Sequence, residues 1–414
     1  MFGLGEKEIA LFKTNVLKIF IVILIILLPG LFSISCDKGP RLETVPGEPY
    51  EYTTVPPVPS EGIPSNQVPV KIGVTTPTPP IMSGSSSTPT TRPMKTSNNS
   101  SWKLENLGSN QSVWLYNIWG NSPSDVFTVS AVGTILHYNG KTWSASGSTG
   151  QIPVALWGFS SSDVFAVGSG NGNNNILHFD GKTWNAMASS TSNNLLGVWG
   201  KSPSDLFAVG TGGAITHYDG KVWTTMTSPN SGSKYDLHAI WGSSSSDLFA
   251  VGVSSAMSSV ILHYDGKEWS TMTLPANNVV NAYLLGVWGS SSSDVFAVGA
   301  GTILHYDGKA WSTMASDTTN SLNCVWGSSS SDVFAVGTGG TILHYDGKTW
   351  STVVTFMVDG IPSSTTSSPN PFNGIPDDYK ISLNGIWGSS SSDVFVVGAS
   401  SQSYSASGII LHSQ

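Results

Sequence analysis

The sequence predicts an all-β fold: a seven-bladed β-propeller of four-stranded antiparallel blades, its ring closed by the N-terminal strand, after a disordered stalk. Three observations lead there. Only 11% of the 414 residues are charged while glycine supplies 45 of them, a profile of short strands and tight turns rather than helices. One motif recurs seven times with a period near 40 residues, the length of a propeller blade or a solenoid unit. The array also begins with the piece that its last copy lacks.

The motif reads (I/V/L)WG-xSxSD-(V/L)F-x-V and then ILHYDGKxW. Its Trp-Gly pairs begin at Trp119, Trp157, Trp199, Trp241, Trp288, Trp326 and Trp387. Each copy parses into four strands. The first ends at the Trp of Trp-Gly, the second covers Asp-Val-Phe-Ala-Val-Gly, the third Ile-Leu-His-Tyr, and the fourth carries Lys-x-Trp. Between the third and fourth stand Asn139-Gly140, Asp180-Gly181, Asp219-Gly220, Asp265-Gly266, Asp307-Gly308 and Asp346-Gly347. These are the residues of a two-residue type I′ hairpin, in which both central positions take positive φ. The exchange of Asn for Asp at one position argues for turn geometry rather than carboxylate chemistry.

The ends choose between ring and solenoid. The seventh copy stops at Ile410-Leu411-His412 without a fourth strand, and Ser101-Trp102-Lys103 matches that missing strand. Fourteen of the fifteen tryptophans then form two families of seven. A chain that starts on a fourth strand and ends on a third closes by pairing its own termini. An open solenoid would instead need capping repeats.

Repetition also governs how the polar residues are read. Seven of the eight histidines share one position: His137, His178, His217, His263, His305, His344 and His412. Seven equivalents belong to the fold rather than to a single reaction centre. Asp125, Asp163, Asp205, Asp247, Asp294, Asp332 and Asp393 follow the Ser-rich turn and are expected to accept backbone N–H bonds there. Phe127 and its six counterparts are expected to pack between blades. The two cysteines, Cys36 and Cys324, are too far apart in role for a disulfide framework, and Cys324 stands where sister copies have a small residue, which predicts a buried packing thiol. No CxxC or HExxH spacing occurs, so neither a metal nor a cofactor is expected. With a net charge of −8 and arginine only at Arg41 and Arg92, ahead of the repeats, nucleic acid is not expected as a partner.

The stretch from Val336 to Trp350, Val-Gly-Thr-Gly-Gly-Thr-Ile-Leu-His-Tyr-Asp-Gly-Lys-Thr-Trp, resembles the repeats of Asp-box propellers, which include sialidases and the photosystem II assembly factor family. The resemblance covers about residues 101–412 and implies a propeller. It implies no shared activity, because sialidases hold the substrate carboxylate with arginines and residues 101–414 contain none.

Ahead of the repeats, residues 1–36 read as a leader. Lys13 and Lys18 precede an apolar run from Ile19 to Ser35, and Ser33-Ile34-Ser35-Cys36 resembles a bacterial lipobox, whose Cys becomes the lipidated first residue. An uncleaved signal anchor is the alternative. Either way the bulk of the chain is expected outside the cytoplasm, tethered to a membrane by its N-terminus. Residues 37–100 hold thirteen of the 23 prolines and are expected to be a disordered, extended spacer. The domain itself spans 101–414.

Loop lengths place a ligand. Trp to Phe across the first turn is 8 residues in all seven copies, and His to Trp across the third turn is 6 in all six contiguous copies. Phe to His takes 10, 13, 10, 14, 9, 10 and 17, and the fourth-to-first connections vary as widely. Antiparallel strands send the constant turns to one face and the variable loops to the other, where binding usually resides. The longest loops, Ser351–Ser382 and Gly398–Gly408, both serve the last blade. They offer Phe356, Phe372, Asp377, Asp378, Tyr379 and Tyr404, an aromatic and acidic set suited to a glycan or a basic protein segment. The expected function is a membrane-tethered recognition or scaffolding module for protein or glycan. The alternative, an extracytoplasmic glycan hydrolase or lyase, needs a unique carboxylate pair or His, for which only Asp377-Asp378 stands out.

Overall fold

The structure, a computed structural model, describes residues 94–95, 101–107, 113–148, 150–170, 172–229, 235–275, 283–353, 379–402 and 405–413, all within the compact unit Thr90–Gln414. The leader, with Cys36, and the spacer up to residue 93 lie outside the described residues.

The described chain forms a seven-bladed β-propeller of antiparallel sheets. In the first blade Leu115–Ser122, Asp125–Ser130, Thr134–Tyr138 and Trp143–Ser148 pair in sequence order. The first strands of the other blades are Ile152–Ser160, Leu195–Ser202, Tyr235–Ser244, Leu284–Ser291, Leu322–Ser329 and Tyr379–Ser390. They touch one another in a cycle that returns from the seventh blade to the first, so they are the inner strands around the axis. In the seventh sheet Ser101–Leu104 pairs with Ser405–Ser413, with Trp102 opposite Ser413 and Leu104 opposite Leu411. Met94–Lys95, inside the segment read as spacer, adds a fifth strand to that sheet's outer edge.

Two local features depart from the sequence reading. The inner strand does not end at its Trp. It runs on through Gly to a Ser that pairs with the Asp of the second strand, as Ser122 does with Asp125, after a register shift that follows the Gly. The hairpin between third and fourth strands is not type I′, because positive φ is confined to its glycine, from +85° at Gly140 to +88° at Gly347. The preceding Asp or Asn keeps negative φ and caps the turn with its side chain. Asp346 Oδ1, for instance, accepts the N–H groups of Lys348 and Thr349 at 2.9 and 2.8 Å.

Those bonds hold the carboxyls of Asp180, Asp219, Asp265, Asp307 and Asp346 below the ordinary 3.8. A lowered folded-state pKa stabilises fully above the unfolded pKa and loses that contribution as pH falls through the folded one. Asn139 accepts the same two N–H groups without titrating. Changing all five aspartates to Asn is therefore expected to preserve the melting temperature further into acid, below about pH 4. Identical acid limbs for the two proteins would contradict this account of the turns.

The Trp-Gly pair has a packing reason. A Cβ on Gly158 would lie 2.6 Å from the indole of Trp119 in the preceding blade. The same approach recurs at Gly289 on Trp241, Gly327 on Trp288 and Gly388 on Trp326, and Gly120 meets Trp387 at 2.6 Å, which carries the series from the seventh blade into the first. Each blade thus lays its inner-strand indole on the glycine of the next. The third blade departs: Gly200 faces Phe159, at a position where other copies have Asn, Lys or Ser, and Trp157 leans toward Trp199 at 6.1 Å.

The phenylalanines bridge blades as expected. Phe127 stacks on His137 of its own blade at 4.3 Å and meets Phe179 and Trp184 of the next at 5.7 and 6.3 Å. Phe395 of the seventh blade does the same with His412, Tyr138 and Trp143. Aromatic pairs of this kind contribute about 0.5–1.5 kcal/mol each beyond the area they bury.

Candidate binding face

The seven repeat histidines are occupied. Each donates from Nε2 to the repeat Asp of its own blade at 2.6 or 2.7 Å. The partner of the repeat Asp is therefore this imidazole, with a turn serine hydroxyl such as Ser328 on Asp332, and not the backbone N–H bonds the sequence suggested. The pair joins the second strand to the third, across a loop whose length differs between blades, so spacing alone does not reveal it. Cys324 packs against the seventh blade, where the N–H of Ile386 reaches its sulfur. Burial pushes the thiol pKa up, with the N–H groups of Ile386 and Val325 opposing, so it is a poor nucleophile.

The constancy of one face has a structural cause. The hairpin glycine of each of the first six blades sits on the first turn: a Cβ on Gly181 would lie 2.6 Å from Cβ of Ser162, and Gly140, Gly220, Gly266, Gly308 and Gly347 meet Ser124, Ser204, Ser246, Ser293 and Ser331 likewise. Turns that interlock cannot change length independently. On the other face loops also touch, as where a Cβ on Gly133 would lie 2.3 Å from Gln151 O and one on Gly301 2.9 Å from Thr319 O, but no single pairing of loops recurs from blade to blade. Charge is divided the same way. Lys141, Lys182, Lys221, Lys267, Lys309 and Lys348 are all exposed on the interlocked face, beside the hairpin aspartates. The described second-to-third and fourth-to-first loops contain no Lys or Arg and only two carboxylates, Glu105 and Asp317, of which Glu105 faces His412 at 3.4 Å.

The variable face is highest at the seventh blade. There the inner strand pairs with its neighbour as far as Tyr379 opposite Gln402, four pairs beyond Leu383 opposite Gly398, where most other blades stop. Gly398–Gly408, read from sequence as a loop, is thus a hairpin whose strands continue to Gln402 and from Ser405. Of the predicted site residues, Phe356, Phe372, Asp377, Asp378 and Tyr404 lie outside the described residues. Tyr379 begins the extended inner strand.

A second group of residues on this side was not singled out by sequence. Every inner strand bulges after its first Leu or Pro, placing Tyr116, Val154, Leu196, His238, Leu285, Asn323 and Asn384 at one half-buried position. Asn323 and Asn384 donate to Leu383 O and Leu115 O of the next inner strand at 2.9 and 2.8 Å. His238 lies at the same position beside the backbone of Leu284. Burial lowers the pKa of its imidazole, against the pull of Asp236 and of that backbone, and leaves Nδ1 buried without a partner. Burial likewise pushes the Tyr116 phenol up to about 12. His238 could have been found from sequence as the one histidine out of repeat register. Outward from it, Asp236 Oδ1 accepts the N–H of Gly212 at 2.8 Å, and a Cβ on Gly212 would lie 3.2 Å from Nδ2 of Asn193. The backbone of Asn193 in turn accepts from Asn175 at 2.6 Å, and Asn175 is buried with Oδ1 unpartnered. Among the described residues, no group of three His, Cys, Asp or Glu side chains could hold a metal ion.

No protein-family model matches the chain, and a search of curated proteins finds no match. Solved structures do match. YCF48 bound to a D1 peptide is 15% identical, with 75% of this chain and 96% of that chain covered at a TM-score of 0.54. A catalytically inactive virginiamycin B lyase from Staphylococcus aureus, solved with quinupristin, is 13% identical, with coverage of 75% and 99% and a TM-score of 0.56. The extracellular domain of BT4673 from B. thetaiotaomicron is 12% identical, with 74% of this chain and 39% of that chain covered at a TM-score of 0.52. At these identities the likeness is one of fold, and the fold is the seven-bladed β-propeller.

Proposed function

We propose that the chain is a recognition or scaffolding propeller, held outside the cytoplasm by its N-terminus, that binds protein or glycan on its variable-loop face. The observation that carries this reading is the division between the faces: one is locked by turn-on-turn packing, while the other varies in length and rises at the seventh blade. The D1 peptide bound to YCF48 supports such use of a propeller. The insertion Ser351–Ser382, bearing Phe356, Phe372, Asp377, Asp378 and Tyr379, and the Gly398–Gly408 segment, bearing Tyr404, are part of the proposed contact surface. Cys36 is the proposed lipid attachment point.

Residues 94–414 immobilised through the interlocked face are expected to retain either solubilised envelope protein or envelope polysaccharide. Deleting residues 354–378 should weaken retention, and changing Lys309 and Lys348 to Ala should not. Loss only in the lysine variant would move binding to the wrong face, and turnover of the polysaccharide would point to the hydrolase or lyase alternative. For the tether, a mature chain whose N-terminal peptide does not start at Cys36 would remove lipidation from the proposal.

A further inference from the structure

The outer rim between the fourth and fifth blades holds a cavity of about 300 Å³. Met272, Leu274 and Pro275 wall it on one side and Tyr306, Ala310 and Trp311 on the other, with Thr273 and Lys309 completing its border. Two departures from the repeat coincide with it. Ala310 is the smallest residue at a hairpin position that holds Thr142, Thr183, Val222, Glu268 and Thr349 in the other copies. Leu274 stands where the second, third and fifth blades have Ser189, Ser228 and Ser316, which makes this wall apolar. The aromatic side is braced from behind. The Trp311 indole N–H donates to Met272 Sδ at 3.2 Å, and its ring lies 5.3 Å from Tyr306 and 6.2 Å from Phe249.

Beside the cavity runs a strand edge with no neighbour. Trp269–Thr271 is the last strand of its sheet among the described residues. Just beyond it, Met272 donates its N–H inward to Ile261 O at 2.9 Å. Backbone groups alternate in direction along an antiparallel strand, so the N–H and C=O groups of Thr271 and Thr273 point outward, away from the sheet. Side chains alternate between the two faces, which puts Met272 and Leu274 on the face toward the fifth blade. A strand added along this edge would therefore carry the side chain opposite Met272 on that same face, over the cavity. The seventh sheet already has a fifth strand of this kind, where Met94–Lys95 pairs antiparallel with Ser101–Leu104. Strand addition draws affinity from main-chain hydrogen bonds and specificity from a side-chain pocket, and both elements meet here. A second copy pairing through the same edge has no free large side chain to offer. Its Trp269 is buried in its own core and its Met272 is held by Trp311.

We propose that an extended segment of another protein adds to the fourth blade as an antiparallel fifth strand along residues 271–273 and seats one large apolar side chain in the cavity, against Leu274 and Ala310. This site is on the outer rim and does not depend on reading the variable-loop face as a binding face.

The test selects phage-displayed random nonapeptides on the full chain and measures a synthetic copy of the most enriched sequence by fluorescence anisotropy. That sequence is expected to hold a large apolar residue with no proline on either side of it, since those neighbours must pair with the outward groups of Thr271 and Thr273. Ala310→Glu fills the cavity with the residue that the same turn carries as Glu268, so the fold accepts it, and it is expected to weaken binding about tenfold or more. N-methylation of the peptide on both sides of its apolar residue leaves the protein untouched and is expected to weaken binding by at least as much, about tenfold. Unchanged binding in either case, or no selectable peptide, would overturn the proposal. Dimerisation of the chain that is lost in Ala310→Glu would make a second copy the occupant and overturn the assignment to another protein. A peptide that ignores Ala310→Glu but is lost on deleting residues 354–378 would sink this inference while supporting the variable-face reading, which keeps the two failures apart.

Discussion

A chain that starts at Leu107 is expected to melt on the order of 10 °C below one that starts at Met94. The segment removed is small, but it carries Trp102, which is only 2% exposed and buried with Phe334, Ile342 and Val353 of the sixth blade as well as Ile381 and Leu411 of the seventh. Its loss also strips the outer edge of Ser405–Ser413, frees Ile410 O from the N–H of Glu105, and uncovers His412, which Glu105 approaches at 3.4 Å. Removing a buried aromatic costs about 3–5 kcal/mol, and each kcal/mol moves the midpoint of a domain this large by roughly 2–4 °C. Thermal melts followed by near-ultraviolet circular dichroism make the comparison. Coincident melts would mean that Ser101–Leu104 rides on the seventh sheet without holding the ring shut.

The second large effect is expected from a small change at the inner ring. Gly158→Val places branched carbon where a single Cβ already falls 2.6 Å from the ring of Trp119, well inside contact distance. Trp119 is only 8% exposed, enclosed by its own blade and the next, so the indole has little room to retreat. Overpacking of this sort costs about 1–3 kcal/mol. The clash, rather than a general intolerance of valine, is tested by a double-mutant cycle with Trp119→Leu, which removes the indole atoms in question. Gly158→Val should then cost less in the Trp119→Leu background, with a coupling of about 1 kcal/mol or more. Simple additivity of the two changes would show that Trp119 is not the reason for the glycine.

How much of this was legible in the sequence follows from what each feature depends on. The blade count, the strand sequence within a blade and the complementary termini were all readable, because each is a matter of spacing along the chain. Contacts between blades were less so. That Gly120 exists to receive Trp387 depends on residues from opposite ends of the domain becoming neighbours. The Asp–His pair is compatible with the repeat but not derivable from it, for a different reason. A local rule for Asp after a serine turn favoured backbone N–H partners, and a non-local imidazole displaced them. The hairpin was misjudged because Asp-Gly fits two kinds of turn, and the side-chain cap, which sequence does not distinguish, decided between them. On the candidate face, His238 stands out of repeat register, so the blade pattern carries no expectation for it.

The pairing of Trp102 with Ser413 also sets an order of events. Six blades are each assembled from a contiguous stretch of chain, so each can form as soon as its own residues have emerged. The seventh sheet cannot. Its strand Ser101–Leu104 is made first and must wait, unpaired on one side, until Ser405–Ser413 has been synthesised. Joining ends separated by roughly three hundred residues carries a closure entropy of about 5 kcal/mol if the intervening chain is still flexible, and much less once the blades between have stacked into an arc. Closure is therefore favoured late, with six blades in place to bring the ends together. Until then the arc exposes two unpaired edges, Ser101–Leu104 and the growing end. The interval before the final strand arrives is when this chain is most open to pairing with a neighbour of its own kind.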